Sequence, residues 1–373
     1  MSRDGNGDGG KMFSQLKSGA IGGGGHRVSG HKDGHGDGSP EGKLLPAIPV
    51  IETGRDFPIV TLTRFRARAN NLFDLATRRY PARALSMLDK ATRAWLVRND
   101  DPHLHEIDEI ARALCRPGAY FFSINYEWGC TCRVAPSQDG SSARLIRVLD
   151  WLTPGLGRNL VGARVTGAPA GPFAVLTWPG YSGVLHVMAP QRFSAALNQA
   201  PMRKSSGLYY FDWASGRRRV WGMPHGTPAH LLRDVSEHAE TFARAKQMLC
   251  DTPVSTPGIF SLAGTRPNEL AVIERTETDF RIREGAQVAA NHWEAAGWYG
   301  HARGIDSPGR ARMMAGVGPE FDAGFGWLAP PVLNARTRLA MVADAAAGRM
   351  LARGYEQGRP ATETLDLSWR ISN

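Results

Sequence analysis

Apolar positions change their spacing along this chain. Over residues 64–98 they recur at helical intervals: Leu72, Leu75 and Ala76, then, past Pro81, Ala84, Leu85, Leu88, Trp95 and Leu96. Spacing of three and four puts such positions on one helix face, and a proline opens the second helix naturally. A third helix is predicted over 104–114 from Ile107, Ile110 and Leu114, closed by Arg116-Pro117-Gly118. Beyond it the pattern shortens to aromatic and β-branched runs of strand type. Strands are predicted at 119–125, 131–135 and 144–151, with Gln138-Asp139-Gly140 as the turn between the last two. Four more follow at 162–167, 172–178, 183–189 and 193–198. A polar loop then carries Arg203-Lys204 and Arg217-Arg218-Arg219.

Thr227 is a good N-cap with Pro228 at the first helical position, and that helix is expected to run through Leu249 until Pro253 stops it. Strands are predicted again at 258–263, 269–275 and 280–283, with 286–291 following. Helices are predicted at 308–315 and 334–355, the latter with Leu339, Val342, Ala343 and Ala346 on one face. Strands bracketed by helices at both ends suggest a layered α+β architecture. Residues 1–44 are rich in Gly, Asp, Ser and His and cannot bury enough apolar surface to order themselves. His26, His31 and His35 there belong to a solvated linker or a metal site.

Composition adds limits. The net charge is +10, and residues 64–98 hold nine Arg or Lys against two Asp. A solvated helix face and a face for an anionic surface, membrane or RNA, both fit. Four cysteines in a chain this long make no disulfide framework. Neither a signal-type apolar segment nor a membrane-length run is present, so a soluble, cytoplasmic protein is expected.

Candidate chemistry gathers where the two patterns meet, at Trp128-Gly129-Cys130-Thr131-Cys132. On a strand both thiols face one way. By spacing alone they fit core residues, a disulfide (with each other, or Cys132 with Cys115), or half a metal site whose other ligands do not stand out. The turn at 138–140 brings Arg147 and Asp150 back beside Cys130. Lying three apart, these two face opposite sides of a straight strand. Either a bulge or strand end intervenes, or one is a surface charge.

These residues, with others downstream, resemble the acid ceramidase and N-acylethanolamine acid amidase family, related to penicillin V acylases, bile-salt hydrolases and the acyltransferases of penicillin biosynthesis. Cys130-Thr131-Cys132 stands for the family's Cys-Thr-Ser-like nucleophile motif, preceded by Tyr126-Glu127, and Arg147-Val148-Leu149-Asp150 for its Arg-x-x-Asp strand. Gly180-Tyr181-Ser182-Gly183 with Leu197-Asn198 is similar to the next block. Thr252-Pro253, Phe260 to Thr265 and Val272 to Arg275 follow in order, then Ala290-Asn291-His292-Trp293 and Asp306-Ser307-Pro308-Gly309-Arg310. Departures are Cys132 for Ser, no Gly before Arg147, no Asn after Asp150, and a late element that leaves Arg310 and Arg312 both in play.

The resemblance implies a four-layer αββα N-terminal-nucleophile hydrolase fold over 130–373, a helical segment over 45–129, and self-cleavage between Gly129 and Cys130. It implies a cysteine amidase for linear N-acyl amides, or an acyltransferase, without a cofactor, whose severed N-terminal fragment is a partner. In that setting the α-amine of Cys130, titrating at ~8, can act as the general base. Asp150 would hold the amine, Arg147 favour the thiolate, Asn291 donate to the oxyanion and Arg310 grip Asp150 with both arms. His292 reads as a packed histidine or a catalyst. Trp128, Trp178, Tyr181, Asn198 and Trp293 are the pocket candidates, the aromatic ones fitting core positions equally well. The reading from a different class is a silent relative that binds an anionic partner through 64–98.

Overall fold

The computed structural model describes residues 44–78, 81–124 and 128–369. Apart from Leu44, the expected tail with His26, His31 and His35 lies outside the described residues, as does Tyr126-Glu127. The described chain opens with β1 (Val50–Thr53) and five helices: α1 (Phe57–Arg64), α2 (Arg66–Thr77), α3 (Ala82–Arg98), α4 (Leu104–Leu114) and α5 (Ala119–Ile124). The spacing at 64–98 and 104–114 is realised, with Leu72, Leu85, Trp95, Leu96, Ile107 and Ile110 buried.

Helix α5 corrects the strand expected at 119–125. Asp89 of α3 accepts the N–H groups of Gly118 at 2.6 Å and Phe121 at 2.9 Å, filling donors that a helix start leaves open. Ser123 Oγ donates back to the Ala119 carbonyl at 2.8 Å. The aromatic residues that suggest a strand instead pack this turn of helix against α3 and α4.

There follow β2 (Trp128–Pro136), β3 (Ala143–Trp151), β4 (Val161–Val165), β5 (Phe173–Thr177), β6 (His186–Ala189), β7 (Phe193–Gln199) and β8 (Met202–Arg203). Next come α6 (Tyr209–Gly222), α7 (Pro228–His238) and α8 (Phe242–Asp251). Then β9 (Gly258–Ala263), β10 (Leu270–Arg275), β11 (Phe280–Glu284), β12 (Gln287–Ala289) and β13 (Gly300–His301) precede α9 (Ser307–Ala315). The last strands are β14 (Thr337–Asp344), β15 (Arg349–Glu356), β16 (Arg359–Pro360) and β17 (Leu365–Ser368).

Among the described residues one sheet runs β1-β4-β5-β6-β7-β9-β10-β11. A second runs β12-β2-β3-β14-β15-β16, with β17 also on β15, and β8 pairs with β13. Among the described residues only the β1–β4 pair is parallel. The two large sheets stack, so that Cys130, Cys132, Leu145, Leu149 and Met341 share a core with Leu197 and Phe260. Helices α7 and α8 pack on the first sheet's outer face. On the second sheet's outer face α9 packs against β2, and Met314, Phe325 and Val332 meet Ile146, Val148, Ala340 and Val342. The four-layer αββα sandwich is present.

Three further corrections concern later elements. The helix expected at 334–355 is the β14–β15 hairpin. Strand β14 is paired on both edges; Leu339, Met341 and Ala343 face the other sheet, and Ala340 and Val342 face the α9 side. A strand buried on both faces loses its two-residue alternation, so a run of Ala, Leu and Met imitates a helix. The expected polar loop after β7 contains α6, whose first-turn Asp212 accepts the N–H groups of Ser205, Ser206 and Gly207. The expected single helix from Pro228 is α7 and α8, capped separately by Thr227 on His230 N–H and Thr241 on Arg244 N–H.

The N-terminal segment is docked by more than contact. Strand β1 is the edge of the first sheet. Arg233 of α7, buried, donates to both carboxylate oxygens of Glu106 at 2.6 and 2.8 Å, to Glu237 at 3.0 Å, and to the carbonyls of Ser182 and Arg55. Two of the basic residues serve the same docking, Arg68 donating to the Arg158 and Leu160 carbonyls and Arg98 reaching the Trp221 carbonyl, while Arg93 pairs with Asp108 inside the segment. No helix among the described residues is long and apolar enough to cross a membrane.

Replacing Arg233 with Ala strands the half-buried Glu106 and leaves buried Glu237 with Arg55 alone, a loss on the order of 3 kcal/mol. The denaturation midpoint of Arg233→Ala should fall steeply, whereas exposed Arg244→Ala should stay within about 0.5 kcal/mol of the parent. Equal midpoints for the two variants would refute this account of the docking.

Candidate active site

Strands β2 and β3 pair with Cys130 opposite Leu149, Cys132 opposite Arg147 and Gly129 opposite Asp150. Alternation then sorts the side chains. Cys130, Cys132 and Arg147 point between the two sheets; Thr131 and Asp150 point toward α9. The three-residue spacing is thereby answered without a bulge in this pair: Arg147 and Asp150 occupy opposite faces of one strand, and both are buried.

On the inner face Arg147 is fully buried. Its Nη2 donates to Cys130 Sγ at 3.1 Å, and its Nη1 to Cys132 Sγ at 3.4 Å and Asn198 Oδ1 at 3.0 Å. The Cys132 thiol donates to the same Asn198 oxygen at 3.0 Å. Asn198 in turn donates to the carbonyls of Ala289 and Ala290. Burial pushes the Cys130 thiol up to about 12, with the Arg147 guanidinium pulling the other way. Cys132 moves up for the same first reason. All four cysteines are thiols, so the disulfide alternatives are not realised.

On the outer face Arg310, also fully buried, donates from Nη1 to the Cys130 carbonyl at 2.6 Å and Thr131 Oγ1 at 2.7 Å, and from Nη2 to Asn291 Oδ1 at 2.9 Å. Asp150 stands 4.0 Å away. The expected two-armed grip on Asp150 is not formed, because the guanidinium is taken up by the strand itself. Asp150 accepts instead from Asn334 Nδ2 and Thr337 Oγ1, each at 2.9 Å. Burial raises its carboxyl, opposed by Arg310. Arg310 lies in this cluster, whereas Arg312 is exposed.

Asn291 links the cluster. Its Oδ1 accepts the Cys130 N–H at 2.7 Å as well as Arg310, and its Nδ2 donates to the Gln199 carbonyl at 2.7 Å. Two donors at one end and a carbonyl at the other fix which end is which. In the intact chain the nitrogen of Cys130 therefore rests on Asn291 and not on Asp150, and the Asn291 amide group rests on a carbonyl. The backbone N–H of Asn291 is held by Ser307 Oγ at 2.8 Å. That hydroxyl lies 2.7 Å from His292 Nδ1, and His292 Nε2 lies 2.8 Å from Glu294. Sequence reading misses Thr131, Gln199, Ser307, Asn334 and Thr337. Thr131 and Ser307 stand within quoted motifs, but neither motif announces the contact made: Thr131 as a partner of Arg310, or Ser307 as a partner of Asn291.

A cleft of ≈ 280 Å³ adjoins the cluster. Trp128 and Asn198 line it, with Leu197 and Gln199. Trp178, Tyr181 and Trp293, expected as pocket residues, are not among its lining. Trp178 donates its indole N–H to the Leu156 carbonyl at 2.9 Å and sits in an aromatic row with Trp128, Trp151 and Tyr181. Trp293 packs on Trp298, ring centres 5.0 Å apart.

Against known proteins, the chain is 28% identical over 107 residues to the acid ceramidase of Heterocephalus glaber, covering 29% of this chain and 26% of the relative. It is 29% identical over 103 residues to that of Homo sapiens, 28% of this chain and 25% of the relative. Over this stretch the chain is similar to the acid ceramidases. The match spans about a quarter of the length of these curated relatives. No protein-family model matches. Among solved structures, a Caenorhabditis elegans ortholog of N-acylethanolamine-hydrolyzing acid amidase overlaps with TM-score 0.44 and 23% identity, over 57% of this chain and 92% of that one. A Clostridium perfringens conjugated bile acid hydrolase mutant overlaps with TM-score 0.37 and 10% identity, over 65% and 93%.

The geometry makes a labelling prediction for the uncut chain. Near neutral pH, iodoacetamide should modify exposed Cys115 and spare Cys130 and Cys132, because both exposure and thiolate content govern the rate. Mass mapping of the uncut chain that found Cys130 labelled as fast as Cys115 would contradict its burial.

Proposed function

We propose that this chain is a cysteine amidase that matures by cutting its own backbone between Gly129 and Cys130 and then hydrolyses linear N-acyl amides with an apolar acyl group. One observation carries the reading: the sulfur, nitrogen and carbonyl oxygen of Cys130 are each held by a different buried side chain, Arg147, Asn291 and Arg310. An inert core cysteine needs none of this. The relationship to the acid ceramidases supports it.

In the cut, Cys130 sulfur adds to the Gly129 carbonyl carbon and the peptide C–N bond breaks. The thiol proton passes to the Cys130 nitrogen, leaving a thioester. Water then releases the Gly129 carboxylate and restores the thiol. Gly129 presents no side-chain bulk to the attacking sulfur. The residue now carries a thiol and an α-amine together, and the amine can take the thiol's proton during attack on a substrate amide. The same proton leaves with the departing amine, and a second water hydrolyses the acyl-thioester. Arg147 stabilises the thiolate that burial disfavours. Asn291 Oδ1, already the acceptor for this nitrogen, would orient the amine.

A buried thiol is compatible with this role because of what covers it. Trp128 and Gly129 are the first residues of β2, and Trp128 is part of the cleft wall. Their departure after the cut extends the cleft toward Sγ.

Intact mass of the purified protein should show two fragments, one ending at Gly129 and one beginning at Cys130, while Cys130→Ala stays whole. A wild-type chain that remains single and forms no thioester with acyl substrates would end this reading.

A further inference from the structure

We propose that His292 is a positioning residue for the chemistry at Cys130: it holds Ser307 in the rotamer that fixes Asn291, and Asn291 holds the Cys130 nitrogen. This rests on the amidase reading above and adds a residue to the same site.

Every polar group of Asn291 is engaged. Its N–H donates to Ser307 Oγ at 2.8 Å, and its carbonyl accepts the Arg303 N–H at 3.0 Å. Its Oδ1 accepts from the Cys130 N–H and from Arg310, and its Nδ2 donates to the Gln199 carbonyl. Cys130, Gln199 and Arg303 contribute backbone groups to this set. Arg310 is pinned by the Ile305, Cys130 and Arg303 carbonyls and by Thr131. Ser307 contributes a hydroxyl on one rotatable bond, so a single rotation would remove it.

A serine at a helix start ordinarily turns its hydroxyl toward nearby backbone. At the start of α9 Asp306 takes that duty, accepting the Gly309 N–H at 3.0 Å, and Pro308 has no N–H to offer. The Ser307 oxygen is left for Asn291, and His292 Nδ1, 2.7 Å away, keeps it there. The directions agree along the line. The Asn291 N–H can only donate, so the Ser307 oxygen accepts it and passes its own proton toward Nδ1. The Glu294 carboxylate accepts from His292 Nε2 at 2.8 Å. A neutral imidazole with its proton on Nε2 satisfies both contacts at once.

The turn that carries these residues is anchored in turn. Buried Glu274 of β10 accepts the N–H groups of Glu294 at 3.1 Å and Ala295 at 3.0 Å, and pairs with Arg283 at 3.3 Å. A line of contacts thus leads from β10 in the first sheet through Glu294, His292, Ser307 and Asn291 to Cys130 in the second. In the self-cut the Cys130 nitrogen receives the thiol proton and leaves the Gly129 carbonyl carbon. Asn291 Oδ1, 2.7 Å from that nitrogen, is the acceptor that keeps it in line. His292 hydrogen-bonds Ser307 and Glu294 rather than any atom of Cys130, so it acts through Asn291.

The test follows self-cutting of the full chain by intact mass at timed intervals after cell-free synthesis. His292→Asn keeps an acceptor where Nδ1 stood, whereas His292→Gln and His292→Ala do not. The Asn variant should cut within about twofold of the parent, and the Gln and Ala variants should be slower by about 10-fold, the rate equivalent of one hydrogen bond. Ser307→Ala should show the same loss, and the double variant with His292→Ala should be no slower than either alone, because both remove one contact. Asn and Gln are similar in polarity, so their difference reads positioning rather than general loss of packing. Parent-like cutting in every variant, equal slowing by Asn and Gln, or losses that multiply in the double variant would overturn the role of His292 and leave the amidase standing. A parent that stays whole and forms no acyl-thioester would overturn both.

Discussion

A guanidinium buried between two β-sheets is the constraint around which the rest of this protein is arranged. Taking a cation out of water is costly unless partners replace the lost solvent. The partners Arg147 finds, two thiols and the Asn198 side-chain oxygen, are all neutral. Burial holds the Cys130 thiol protonated, while the guanidinium beside it favours an anion in that place. The two tendencies oppose each other at one sulfur atom. Were this sulfur the proposed nucleophile, a nearby base would suffice to tip it, and a free α-amine on the same residue would be such a base.

The second arginine completes the arrangement from the other side. Strand β2 lies between Arg147 on its inner face and Arg310 on its outer face, so Cys130 is gripped through side chain and backbone at once. This explains why charges three residues apart on β3 can both belong to one site: the strand is thin, and each face contributes separately. Asp150 belongs to the outer face, where Asn334 and Thr337 hold it near Arg310. Its influence on Cys130 therefore runs through the strand and the arginine rather than by direct contact.

Much of this was legible in the sequence, for physical reasons that differ by element. Helix α4 and the Thr227 cap are local matters, written in periodicity and side-chain chemistry. The β2–turn–β3 hairpin is nearly local, so Arg147 and Asp150 could be placed beside Cys130 from spacing. What failed was what depends on the surroundings. Residues 119–124 are helical because Asp89, far back in the chain, satisfies their open N–H groups. Strand β14 hides its alternation because both its faces are covered. The partners of the Asn291 side chain and backbone N–H come from three separate parts of the chain, at Cys130, Gln199 and helix α9, and no local pattern announces them. The pocket aromatics divided for the same reason: Trp128 lines the cleft, while Trp178 is held by a carbonyl within the packed aromatic row.

The edge strand β1 and the Arg233 cluster have a consequence for how the protein can be made. Both join residues before position 129 to residues after it, and both are built while the backbone is continuous, when the two parts find each other as neighbours on one chain. Once cut, the same contacts would link separate molecules, and reassembly after unfolding would become a two-body encounter dependent on concentration. Folding would then be a step the protein takes once, before maturation, with the finished form held together by an interface inherited from a chain that no longer exists.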